Sequence, residues 1–364
     1  MKKLIPLILA FSLIFAGCAA APKSTAAPSP VLSPEATATN APSPTPLSYE
    51  NYSGEIPHIF IHCLIAYPEI KSANGLMPYD SECIDVAEFK NLLRELYANN
   101  YCLIDLHDCF SFDEAGKITM VNTVSVPKGK KPFVLSCDDV VYDVKKRGYG
   151  MADFLALDEN KNFVTGTYQS DGSLSYSNDS EFIPILESFI AEHPDFSANG
   201  SRMTLCMTGF TGLFGYRSDR HNTLDRDAQI QKAREIADRL KELGYTFASH
   251  SYGHSSFPDM SIEALREDLQ SFRDEVEPII GKVNVLVYPF GLLIPPADPK
   301  YQLMEDYGFN VFCSVAHFFL TRDYETNNTI YMTRVAIDGY SLRNYGSILA
   351  PLFDVNKVID LENR

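Results

Sequence analysis

From about residue 55 onward the chain repeats one local pattern: a short apolar run, a turn, then an amphipathic stretch with apolar positions three to four residues apart. The apolar runs at 58–65, 101–106, 132–137, 203–208, 245–249, 283–288, 311–315 and 331–335 are too short for buried helices and read as strands. Helices are expected at 85–99, with Val86, Phe89, Leu93, Leu96 and Tyr97 on one face, and at 181–192, capped by Ser180. Three more are expected at 227–243, stopped by Gly244, at 261–280 and at 300–307. Strands that alternate with helices imply a parallel sheet, because parallel neighbours need a crossover, and this many units suggest closure into a barrel. The expected fold class is α/β, a parallel (β/α) barrel. Residues 55–364 read as one domain, with an insertion at about 141–200 that is polar and rich in Gly, Asn and Ser around 158–180.

The N-terminus constrains location. Lys2 and Lys3 precede an apolar segment at 4–15, and Phe15-Ala16-Gly17-Cys18 places small residues directly before a cysteine. A basic start, a short apolar core and small residues at the cut make a secretory signal. The cysteine at the cut resembles the lipobox of bacterial lipoproteins, in which the thiol is acylated. Residues 1–17 are therefore expected to be a lipoprotein signal peptide and Cys18 the lipidation site. The mature chain is expected to be extracytoplasmic, anchored to the bacterial cell membrane by its N-terminal lipid and not spanning it. An ordinary cleaved signal that leaves Cys18 a free thiol gives the same compartment. Residues 18–54, rich in Pro, Ala, Ser and Thr, have too little apolar surface to offset ordering entropy and read as a disordered tether. A net charge of -16 argues against a nucleic-acid partner, since nothing offsets phosphate repulsion. Besides Cys18 there are seven cysteines with no C-x-x-C spacing, and several stand in apolar runs as small buried hydrophobes.

The residues able to do chemistry stand at the strand ends. Phe133-Val134-Leu135 leads into Ser136-Cys137-Asp138-Asp139, the strand ending at Ser249 leads into His250-Ser251-Tyr252-Gly253-His254, and Val285-Leu286-Val287 leads into Tyr288-Pro289-Phe290-Gly291. In a parallel barrel all strand ends open on one face, so two imidazoles and two carboxylates converge there. That set suits a three-ligand open metal site with one carboxylate to spare.

These residues resemble the polysaccharide deacetylases with a NodB-like domain, the carbohydrate esterase family 4 type. The family's T-F-D-D-G motif is approached by Ser136-Cys137-Asp138-Asp139-Val140, its H-S-x-x-H motif is matched in full by His250-Ser251-Tyr252-Gly253-His254, and its Pro-aromatic-Gly motif by Pro289-Phe290-Gly291. The resemblance covers about 56–345 apart from the insertion. It implies a deformed (β/α) barrel that hydrolyses acetyl groups on sugars with a divalent metal, zinc first, with cobalt, nickel or manganese as alternatives. It implies Asp139, His250 and His254 as ligands, Asp138 as general base, and Tyr288, Pro289 and Phe290 in the cleft, with the Phe290 N–H as an oxyanion donor. The expected partner is an acetylated polysaccharide or a peptidoglycan-type glycan. Such an ion lowers the pKa of bound water from 15.7 to about 7 and polarises an acyl carbonyl, while an unbound neighbouring carboxylate can take the proton.

The chain also departs from the family. Leu286 and Val287 stand where an arginine usually orients the base, and no tryptophan is present. Arg334 or Asp338 is the candidate for the missing partner, and His317 the only downstream candidate for the general acid. His62 reads as a buried core histidine. These departures keep open a second reading, a non-catalytic glycan-binding lipoprotein on the same barrel, and a third, a metal hydrolase of another amide or ester.

Overall fold

The computed structural model describes residues 47–71, 75, 77–324, 327–362 and 364. The signal peptide, Cys18 and tether residues 18–46 lie outside the described residues. Seven strands form the centre: β1 (His58–His62), β2 (Lys131–Asp138), β3 (Thr204–Met207), β4 (Thr246–Ser249), β5 (Val285–Val287), β6 (Val311–Val315) and β7 (Thr329–Ala336). Each pairs in parallel with the next, and β7 returns to β1 through Val335↔Ile59, so the sheet is a closed parallel barrel. Helices α1 (Val86–Ala98), α2 (Phe182–Glu192), α3 (Arg226–Leu243), α4 (Ile262–Glu275) and α5 (Pro299–Asp306) follow β1 to β5 in turn, and α6 (Gly339–Asn344) follows β7. Among the described residues no helix joins β6 to β7. Thr321–Tyr324 folds back antiparallel on β7 instead, which deforms the barrel on that side.

Alternation along the strands decides what faces inward. Val134, Cys206, Ala248, Val287, Cys313 and Met332 form one buried cluster inside the barrel. Residues of opposite parity, such as Ile61, Leu135, Leu205 and Phe247, pack outward with Leu92, Leu93, Ile236 and Leu240 of the helices. Two residues further along each inward row come Ser136 and Asp138 on β2, His250 after β4 and Arg334 on β7. The same parity on β1 is His58, Phe60 and His62. The barrel is therefore apolar below and ionisable at its C-terminal mouth.

Local chemistry fixes the element ends. Asp85 and Glu88 form a reciprocal capping box at the start of α1, and Gly244 ends α3 with φ 100°, a conformation glycine adopts without a Cβ penalty. Four expectations are corrected. The helix expected at 261–280 breaks at Val276 because Pro278 cannot donate a helical N–H, leaving a separate short turn at Glu277–Ile280. α2 is capped by the carboxylate of Glu181, not by Ser180, whose hydroxyl bonds to that of Thr165 at 2.6 Å. The tether expected to run to 54 ends earlier, since Tyr49–Tyr52 pairs antiparallel with Val124–Pro127 and the Tyr49 hydroxyl accepts from the Asn199 N–H. Finally, the strand expected at 101–106 ends at Leu103 and pairs beside β2 without joining the seven-strand ring. Residues 139–203 between β2 and β3 hold, besides α2, a three-stranded antiparallel sheet, Phe154–Leu157, Phe163–Tyr168 and Leu174–Ser177.

Glu181 has a consequence for stability. It is wholly buried, accepts from the N–H groups of Phe182 (2.8 Å) and Leu64 (3.0 Å), and burial pushes its carboxyl up from 4.5 to about 8. The folded chain keeps this proton where an unfolded chain has lost it, so stability is complete below pH 4.5 and falls as pH rises towards 8. The shift corresponds to an effect of order 4 kcal/mol. Glu181→Gln keeps an acceptor oxygen and removes the titration. Thermal unfolding followed from pH 5 to 8 should show the parent losing several degrees relative to the variant; parallel curves would refute this assignment.

Candidate metal centre

Three strand ends build the site. β2 delivers Asp138 inward, but Asp139 has the outward parity of the next position. Its backbone turns left-handed (φ 57°), and its carbonyl accepts from the Val141 N–H at 2.7 Å. That turn brings the Asp139 carboxylate over the barrel mouth. The His250 N–H bonds to the Met207 carbonyl on the neighbouring strand, at 2.8 Å. The loop then turns through two more left-handed residues, Ser251 and His254. Asp268 of α4 braces it by accepting from the N–H groups of Tyr252 and Gly253, both at 2.8 Å, and the Ser251 hydroxyl accepts from the His254 N–H at 2.7 Å.

Asp139, His250 and His254 each present a donor atom within 4.8 Å of the others. Asp139 Oδ1 and His254 Nε2 are 3.7 Å apart, and two donors of a tetrahedral zinc site stand about 3.4 Å apart. His250 Nδ1 must donate to the Val287 carbonyl (2.9 Å), which leaves Nε2 as a free lone pair. Burial and the His250 imidazole lower His254 below the ordinary histidine range, against the pull of Asp139, and favour the neutral form a ligand needs. Asp139 Oδ1 is buried with no hydrogen-bond partner. A buried carboxylate oxygen without a donor is costly unless a cation satisfies it. The donor set and the orphaned oxygen fit a small divalent ion.

Asp138 has a different environment. The Arg334 guanidinium clamps it through two parallel bonds, Nη1 to Oδ1 at 2.7 Å and Nη2 to Oδ2 at 2.8 Å, and both residues are buried. Arg334 also lies over the Phe60 ring at 4.2 Å and donates to Ser136 Oγ, which in turn meets His58 Nε2 at 3.0 Å. Burial alone would raise the Asp138 carboxyl, but Arg334 and His250 outweigh it and hold the group below the usual carboxylate range.

A cavity of about 450 Å³ opens above these groups. Tyr288, Phe290 and Asp338 line it, as expected for the cleft; the Phe290 ring, largely exposed, meets His254 edge-on at 4.6 Å. Pro289 is buried at the start of the turn and does not line the cavity wall. Asp338 is not the partner of Asp138, because its carboxylate caps α6 by accepting from the Ser341 N–H at 2.6 Å. Of the two candidates, Arg334 fills that place.

Two histidine expectations are corrected. His317 is not brought into the cavity. β6 ends at Val315, Ala316 bonds back to the Arg334 carbonyl, and the His317 ring stacks on Tyr345 at 4.1 Å. His62 is not a core residue but lines the cavity, with Nδ1 held by the Glu82 carbonyl at 2.9 Å. Lys146 reaches the same cavity from the insertion and lies 5.1 Å over the Tyr79 ring. Neither role was evident from spacing, although the inward parity His58-Phe60-His62 already aims His62 at the mouth. The seven cysteines of the described residues are free and buried.

No family model matches the chain, and no curated protein does. Solved structures do align with it. The deacetylase PplD of Streptococcus pyogenes, in complex with acetate, is 13% identical over 79% of this chain and 94% of its own, with a TM-score of 0.46. A polysaccharide deacetylase from Bacillus cereus is 16% identical over 82% of this chain and 69% of its own, with a TM-score of 0.45. A de-N-acetylase from Aggregatibacter actinomycetemcomitans is 16% identical over 80% of this chain and 96% of its own, with a TM-score of 0.40. All three are deacetylases.

Proposed function

We propose that the chain is a metal-dependent deacetylase of an acetylated extracellular or cell-envelope polysaccharide, held at the bacterial cell membrane by lipid on Cys18. The observation that carries the catalytic reading is the orphaned Asp139 oxygen facing His250 and His254, beside a carboxylate clamped by arginine. Asp139, His250 and His254 would hold a divalent ion, zinc first. Such an ion acidifies water and polarises an acetyl carbonyl. Asp138, kept ionised and aimed by Arg334, accepts the proton of a water in the cavity. His62 is the candidate acid. Its Nδ1–H is tied to the Glu82 carbonyl, so the protonated ring has only the Nε2 proton to give to the departing sugar nitrogen or oxygen.

The non-catalytic alternative drew on an absent arginine, an absent tryptophan and the lack of a clear acid histidine. Arg334, buried against Asp138, and His62, on the cavity wall, are placed to take two of those roles, which favours hydrolysis. The direct test is metal content of the purified chain together with acetate release from chitooligosaccharides and peptidoglycan-derived sugars. Bound metal with no acetate from any of these would count against catalysis.

Two further outcomes are expected. His62→Gln should lower kcat on an acetamido sugar by roughly 10²- to 10³-fold. An activated aryl acetate, whose leaving group needs no proton, should lose far less; equal losses on both substrates would exclude His62 as the acid. Cys18→Ser should abolish incorporation of labelled fatty acid and move the chain from the membrane fraction to the soluble one; persistence in the membrane fraction would contradict the anchor.

A further inference from the structure

Between the insertion, the loop after β3 and α3 lies a second cavity, about 400 Å³, that shares no lining residue with the metal pocket. Phe154 is its hub. The ring centroids of Tyr168, Tyr176 and Tyr216 lie 6.1, 6.1 and 5.9 Å from that of Phe154. Gly166 makes this possible, because a Cβ there would stand 2.1 Å from the Phe154 ring. Tyr168 and Tyr176 are 41% and 59% exposed, far more than a core cluster tolerates. Two cations cover rings from outside: Arg147 lies 4.2 Å over Tyr168 and Lys232 5.8 Å over Tyr216. The arrangement is braced from below. Buried Asp153 pairs with Arg147 at 2.6 Å and accepts from the Tyr168 N–H at 2.7 Å.

Arg147 and Tyr168 also wall a neighbouring cavity of about 370 Å³ that includes Tyr67, Gly148 and Gly150. The residue before Arg147 is Lys146, which lines the metal pocket, and Tyr149 packs against Tyr79 of that pocket at 6.3 Å. One segment, 146–150, thus contributes residues to the metal pocket, to the aromatic cavity and to the cavity beside it.

The geometry points to a polysaccharide-binding subsite on the insertion. We propose that it holds sugar rings of the same chain whose acetyl group is processed at the metal, so it rests on the deacetylase reading. The ligand class comes from the lining. A pyranoside ring offers a flat C–H face that packs on an exposed tyrosine ring and an edge of hydroxyls that bond to phenol, amide and carboxylate groups. Asp153 neutralises Arg147, and Lys232 stands with Glu235 in the same wall. The site therefore has no surplus positive charge for a polyanion, and the chain as a whole carries -16. An uncharged glycan segment is the occupant these features select.

The test is calorimetric binding of chitohexaose and chitobiose, the six- and two-sugar β-1,4 oligomers of N-acetylglucosamine, to the purified chain. The hexamer should bind the parent at least tenfold more tightly than the dimer. Tyr176→Ala should remove most of that difference, and Tyr168→Ala, checked for an unchanged circular dichroism spectrum, should do the same. His250→Ala should keep the preference for the longer oligomer, since the subsite does not use the metal. A parent without length preference, or a preference that survives both tyrosine substitutions, overturns the subsite. Acetate release from the same hexamer reports separately on the deacetylase reading, so a failure of the subsite is distinguishable from a failure of that reading.

Discussion

Arg334→Met is expected to destabilise the barrel by about 3–5 kcal/mol and to abolish acetyl release, because it leaves the Asp138 carboxylate buried without its counter-charge. Removing both partners is a different experiment. Asp138→Leu combined with Arg334→Met takes away the unpaired charge, and stability should return to within about 1–2 kcal/mol of the parent while activity stays absent. Urea unfolding followed by circular dichroism gives the three free energies. If Arg334→Met alone unfolds at the parent's midpoint, the ion pair does not hold the site as described. The large single-variant effect reflects geometry: the two terminal guanidinium nitrogens each face one carboxylate oxygen, and both residues are buried.

The second large effect concerns His250. His250→Ala removes a proposed ligand whose other ring nitrogen is anchored at Val287, and metal content should fall well below one ion per chain, with kcat reduced by roughly three orders of magnitude or more. Asp138→Asn should also silence turnover but leave metal content unchanged, which separates holding the ion from moving the proton. A readout independent of turnover is available. At a hundredfold excess over its dissociation constant, an ion that binds only the folded chain stabilises it by about 2.7 kcal/mol. A chelator should therefore lower the melting temperature of the parent and leave that of His250→Ala unmoved. A parent indifferent to chelator would remove the metal from the account.

Much of the barrel was readable from the chain. Short apolar runs, most of them followed by an amphipathic helix, specify parallel pairing, and seven of the eight runs enter the ring in sequence order. The site was legible only where its residues adjoin in sequence. Asp138-Asp139 and His250 to His254 are local motifs. Arg334 reaches Asp138 across 196 residues, and only its charge within an otherwise apolar strand hinted that it needed a buried partner. His62 looked like core because strand neighbours on both sides are apolar, and parity alone distinguishes it. Asp268 was detectable in principle, as an acidic residue within the Leu265, Leu269 and Phe272 stripe of α4, but a stripe of that kind does not say which loop it braces. The insertion was opaque for a different reason. Its Gly, Asn and Ser content describes the turns, while the tyrosines that make its cavity are dispersed across two strands and a distant loop.

The left-handed backbone at Asp139, Ser251, His254 and Phe290 has a consequence beyond placing ligands. Residues with a Cβ resist that region by about 1 kcal/mol each, so the mouth holds backbone strain at four of its residues. Glycine at 139 or 254 would ease the chain in the same step that deletes a donor. Drift towards an inert scaffold is thus downhill in folding free energy, and aspartate and histidine at those positions are a handicap that only an occupant of the mouth offsets.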